Sequence, residues 1–102
     1  MNLGVVIKSL RKKKGYKQNS FAELCDITPS YLSQIESNNK EPNISTLKII
    51  SEKLDVPLPI IFFLSLDQTD IKSEKIEMFN QIDSSIKAMI EEFFGKVNLS
   101  ND

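Results

Sequence analysis

The stretch from Gln18 to Ser37, QNSFAELCDITPSYLSQIES, constrains this chain more than any other, because it allows only two short helices joined by a tight turn. Apolar side chains fall at Phe21, Cys25, Ile27, Leu32 and Ile35, with a small Ala22 where the two helices must cross closely. Between them, over Cys25-Asp26-Ile27-Thr28, the backbone has to stop, bend and restart. That turn needs a residue tolerant of a left-handed conformation, for which Asp and Asn rank next after Gly. Asp26 fills the role. Thr28 then offers its hydroxyl as an N-cap, and Pro29 suits the first helical position, where its φ is preset and its missing N–H would be orphaned anyway. The result is a helix-turn-helix pattern.

The second helix of the pair turns Leu32 and Ile35 inward and leaves Ser30, Tyr31, Ser33, Gln34 and Ser37 outside. A merely solvated helix face usually carries Glu and Lys. This one is neutral, short and rich in hydrogen-bonding groups, so it is taken as a surface that reads something. Upstream, Leu3, Val6, Ile7 and Leu10 predict a first helix over Leu3 to Lys14, with Lys8, Arg11, Lys12 and Lys14 largely outside its apolar face and Gly15 ending it. Downstream, Asn38 is suited to a left-handed C-cap and Asn43 to an N-cap. Ile44, Leu47, Ile49, Ile50 and Leu54 make a fourth helix, Asp55 closes it, and a fifth begins near Leu58. Its run Ile60 to Leu64 is apolar on every side, so one side closes the core and another must meet the C-terminal segment or another chain.

In order and at this spacing, the LRKKKGYKQ opening, Q-x-x-x-A-x-x-x-D-I-T, S-x-L-S-Q-I-E and P-N-I-S-T-L-K-I-I make residues 3 to 64 resemble the Cro/C1-type (XRE-like) helix-turn-helix family of phage and bacterial repressors. The resemblance implies an all-α fold, a five-helix lambda-repressor-like DNA-binding domain followed by one long C-terminal helix. It also implies double-stranded DNA as partner, with helix three in the major groove. Base readout then falls to Ser30, Tyr31, Ser33 and Gln34. Gln34 is foremost, because an amide pairs bidentately with adenine, whereas the ring of Tyr31 has packing over the loop as its alternative.

Phosphate contacts implied by the resemblance are Gln18 at a helix N-terminus, Lys17 beside it, and Asn38, Asn39 and Lys40 in the following loop. Within Arg11-Lys12-Lys13-Lys14 the alternatives are phosphate contact, with Arg11 the candidate, or a solubilising, dipole-matched helix end. The chain departs from the family pattern in four places. Lys17 replaces the usual Ser or Thr cap, Asn38 and Asp55 stand where Gly is common, and Glu41 lies near the place of a second cation.

Beyond Asp67-Gln68-Thr69-Asp70, a polar break, Ile76, Phe79, Ile82, Ile86, Met89 and Phe93 recur at helical spacing, with Ile90 and Phe94 widening the stripe. A single helix from about Asp70 to Phe94, roughly 37 Å long, is expected, ended by Gly95 and followed by a frayed tail from Lys96. The domain division is therefore 1–66 for DNA binding and 67–102 for this helix and tail. Dimerisation through Phe79, Ile82, Ile86, Met89, Ile90 and Phe93 is the preferred reading over packing within the chain. A different protein, such as an antagonist of the repressor or the partner of an antitoxin, fits the same stripe.

Charge supports the division: residues 1–64 hold 9 Lys/Arg against 6 Asp/Glu, and residues 65–102 hold 4 against 8. With one Cys and no His, an internal disulfide and the usual metal sites are excluded, and no cofactor is expected. The absence of His, of a Gly-rich phosphate loop and of paired acids in an apolar setting argues against an enzyme. No apolar run is long enough for a signal or a membrane span, so a cytoplasmic protein is expected.

Overall fold

A computed structural model of the chain describes residues 1–97 and Leu99. Six α-helices follow in order: α1 (Leu3–Lys13), α2 (Gln18–Leu24), α3 (Pro29–Glu36), α4 (Ile44–Leu54), α5 (Leu58–Ser65) and α6 (Ile76–Phe94). Among the described residues there is no strand. Phe21, Ile7, Leu32, Ile35, Ile50, Leu54 and Ile61 are fully buried and form one core shared by the first five helices. Cys25 lies in it as a small apolar residue, and burial pushes its thiol up to about 11.

The punctuation anticipated from local chemistry is in place. Asp26, Asn38 and Asp55 are the three non-glycine residues with positive φ among those described, at 58°, 62° and 56°. Thr28 and Asn43 accept the amides of Tyr31 and Thr46, at 3.0 and 2.9 Å, as N-caps of α3 and α4. Gly15 and Gly95 turn the chain after α1 and α6 at φ of 84° and 79°. Gly4 has a different duty. A β-carbon there would come within 2.3 Å of the Ile35 carbonyl oxygen, so α1 can approach the end of α3 only because this position has no side chain.

The C-terminal segment differs from expectation in two respects. Its helix begins at Ile76 rather than near Asp70, and its 19 residues make it roughly 28 Å long. Asp67 and Asp70 instead form a reciprocal cap that closes a 3-10 turn over Gln68–Asp70, after which Ile71 and Lys72 are extended and Ser73–Lys75 makes a second turn. Asp67 also accepts the Thr69 amide and hydroxyl, while both carboxylates lie near the Met1 ammonium; these contacts hold both below the usual carboxylate range.

The helix also divides its apolar stripe. Ile90, 4% exposed, belongs to the core, and Ile86 and Phe94 pack against it, whereas Ile82, Met89 and Phe93 stand in solvent and Phe79 is half-buried. One stripe has become two faces. The inner face packs within the chain, where Ile90 shares one core with Ile61 and Leu64 of α5. Lys13 fixes the far end of α6 to α1, its Nζ donating to the Lys96 carbonyl at 2.8 Å. No helix among the described residues is long and apolar enough to cross a membrane.

Candidate nucleic-acid interface

The second helix of the motif presents the expected face. With Leu32 and Ile35 sealed in the core, Ser30 and Ser33 are exposed and Gln34 is half-buried on the opposite side. The backbone carbonyl of Gln34 accepts from Ser37 Oγ at 3.2 Å and from the amides of Asn39 and Lys40 at 2.9 and 3.1 Å, which satisfies the end of α3. That leaves its carboxamide uncommitted among the described residues. Tyr31 is half-buried and packs against the core.

At the start of α2, Lys17 is exposed and extended, and its side chain makes no capping bond. The orphan N–H groups of this helix end are therefore left without a side-chain cap. Gln18 follows as its first residue, half-buried, with Nε2 donating to Glu36 Oε1 at 3.1 Å. In the loop after α3, Asn39 and Lys40 are exposed, as is the acidic Glu41.

One of the expected phosphate contacts, Arg11, is off the surface, and a second, the exposed Asn38, has its side chain engaged within the chain. Arg11, expected on the surface of the first helix, is 6% exposed. Its Nε and Nη2 donate to the two carboxylate oxygens of Glu36 at 2.7 and 3.0 Å, and its Nη1 donates to the Tyr16 carbonyl at 2.8 Å. Buried and committed through three of its five donors, this guanidinium is not presented to a phosphate. Asn38 has the expected left-handed backbone, but its Oδ1 accepts from the Gly4 amide at 2.9 Å and its Nδ2 donates to Asn2 Oδ1 at 2.8 Å. It closes the start of α1, which has no side-chain cap from Asn2.

Glu36 is the residue that the sequence reading missed. It is buried, and its carboxylate joins α1, through Arg11, to the start of α2, through Gln18. The signal was available. Leu32, Ile35 and Glu36 lie at i, i+3 and i+4, as do Ile7, Leu10 and Arg11, so each charge sits on its helix's apolar side and each supplies the other's partner.

The family pattern described as Helix-turn-helix matches residues 7–61, more than half of the chain. The chain belongs to the Cro/C1-type helix-turn-helix family. Among relatives, it is 30% identical over 92 residues to an immunity repressor protein of Bacillus phage phi105, covering 90% of this chain and 62% of that one. It is 33% identical over 91 residues to the transcriptional regulator SinR of Bacillus subtilis, covering 88% and 75%. A third, the regulator RamB of Mycobacterium tuberculosis, matches at 33% identity over 76 residues, 74% of this chain and 16% of that one. The chain thus spans less than two thirds of the length of the first of these relatives and a small part of the third.

Solved structures agree with the fold. The complex of SinR with SinI aligns with a TM-score of 0.58 at 33% identity over 89% of each chain. The clp gene regulator ClgR of Corynebacterium glutamicum aligns with a TM-score of 0.57 at 28% identity over 60% of this chain and 79% of that one. In this family member the helix-turn-helix is therefore α2 and α3, with the hydrogen-bonding face of α3 turned outward.

Proposed function

We propose that the chain is a sequence-specific DNA-binding transcriptional regulator, a dimeric repressor of the cytoplasm that reads a pseudo-palindromic operator with α3 in the major groove. The observation that carries this reading is the outer face of α3: neutral, bearing Ser30, Ser33 and Gln34, and built on a helix whose inner side is locked into the core. Relatives described as a repressor and as transcriptional regulators support it. Residues 1–66 are the DNA-binding part and residues 67–102 the part that brings copies together.

Gln34 is the residue assigned to base readout, with Ser30 and Ser33 less selective because a hydroxyl donates or accepts to several bases. Lys17, the start of α2 and the loop residues Asn39 and Lys40 hold phosphates, which fixes register without reading sequence. The role of Gln18 is narrower than a free side chain would allow, since Glu36 already orients its amide.

Binding titrations on operator and random duplexes over a range of salt test the assignment. Gln34→Ala is expected to cost about 1 to 3 kcal/mol on the operator and to relax preference at one base pair per half-site. Lys40→Ala is expected to weaken every sequence alike and to flatten the salt dependence. If Gln34→Ala weakens random DNA as much as the operator, Gln34 reads no base.

A second reading is favoured by one observation: the aligned SinR structure is a complex with another protein, SinI. An antagonist protein would then occupy the exposed side of α6. Mass in solution across a dilution series separates the two, because a self-associating chain forms dimers alone and an antagonist-dependent one does not.

A further inference from the structure

Four large apolar side chains project from α6 into solvent: Met78 at 61%, Ile82 at 47%, Met89 at 58% and Phe93 at 79% exposed. Their steps along the helix are four, seven and four residues, which keeps all of them on one face. Read from either end, the spacing is the same. Met78 and Phe93 lie equally far from the midpoint between Ser85 and Ile86, and so do Ile82 and Met89.

We propose that α6 pairs with α6 of a second copy of this chain in antiparallel orientation, about a two-fold axis through that midpoint. The proposal rests on the homodimer reading above and adds its geometry. In such a pair Met78 of one copy meets Phe93 of the other, and Ile82 meets Met89, so each flexible thioether finds a ring or a branched chain and no apolar side chain is left over. Ser85, exposed and small, sits beside the axis on the same face and lets the helices come close.

Charge separates this arrangement from the parallel one, which would use the same stripe. Parallel pairing brings Glu92 of both copies level at the edge of the stripe, two like charges side by side. Antiparallel pairing about that midpoint instead sets each Glu92 level with Phe79 of the other copy, away from its counterpart. It also opposes the two helix dipoles. The inner face is already spent within the chain on Ile86, Ile90 and Phe94, and Lys13 holds the helix end, so the outer stripe is presented on a fixed support.

The test is cysteine cross-linking of the full chain with Cys25 replaced by Ala. Met78→Cys and Phe93→Cys are made separately, one carrying a mass tag, and oxidised alone and mixed; Ser85→Cys, which leaves all four apolar side chains in place, is oxidised alone. The expected result is a cross-linked dimer from the mixture and from Ser85→Cys, with little from either outer variant alone. Equivalent outer positions would be separated along the axis by 15 residues, roughly 22 Å.

Self-cross-linking of Met78→Cys and of Phe93→Cys would overturn the orientation while leaving the dimer standing. A dimer by mass that yields no cross-link at Ser85→Cys would overturn the surface. A full chain that stays monomeric across the dilution series would remove the dimer reading itself, and the proposal with it.

Discussion

At the scale of single residues, the pair of Arg11 and Glu36 does most to tie the interface to the core. Three donors of one guanidinium are used, two on Glu36 and one on the Tyr16 carbonyl, and Glu36 shares an oxygen with Gln18 at the start of α2. Removing one partner leaves a buried charge without compensation, which costs about 3 to 5 kcal/mol, whereas replacing both by apolar groups of similar volume is often neutral. Arg11→Ala is therefore expected to lower stability by that amount in chemical denaturation, and Arg11→Met with Glu36→Leu to recover most of it. If the double variant is no better than the single one, the cost lies in lost packing rather than in the stranded carboxylate. The pair was legible in the sequence in principle, since both residues occupy apolar-side positions. It escaped because Arg11 stands at the head of a basic run that reads as surface, and composition spoke more loudly than phase.

At the scale of elements, the turns and caps were the most legible part of the chain because each depends on the chemistry of one residue and its immediate neighbours. Asp26, Thr28, Pro29, Asn43 and Asp55 all stand in the conformations that their side chains favour. The start of α6 was less legible. Nothing in the periodicity of Ile76 onward says that Asp67 and Asp70 will cap each other and hold the preceding residues in short turns. Asn38 shows the same limit, for its backbone conformation followed from its type while its side-chain partners, Gly4 and Asn2, lie more than thirty residues away.

The uncapped start of α2 is where an element's stability and its function compete. A missing cap costs about 1 kcal/mol, and a cation at a positive dipole end adds a smaller penalty. A docked phosphate offsets both. Lys17→Ser is expected to raise the melting temperature by roughly 4 to 8 °C if the full cap energy is regained, and to weaken DNA binding in the same titrations. Unchanged binding would mean that Lys17 holds no phosphate.

At the scale of the whole molecule, the spacing from Phe79 to Phe93 predicts one surface, and the fold divides it into two. A stripe broader than one contact face cannot reveal from spacing alone which of its edges turns inward; that depends on where the preceding turns aim the helix. Ile90 belongs to the core shared by the first five helices, so cutting the chain at Ser65 would strip the core and the outer stripe together and could not tell them apart.

Neighbouring point variants can. Ile90→Ala removes a side chain that is 4% exposed and is expected to cost about 2 to 5 kcal/mol in denaturation of the monomer. Met89→Ala, at a position 58% exposed, is expected to change monomer stability by no more than about 0.5 kcal/mol. Sedimentation over a dilution series should rank them the other way while both remain folded, with Met89→Ala weakening the dimer and Ile90→Ala leaving its outer stripe intact. Should Met89→Ala leave the dimer untouched, the outer face of α6 would not be the self-association surface, whatever its exposure.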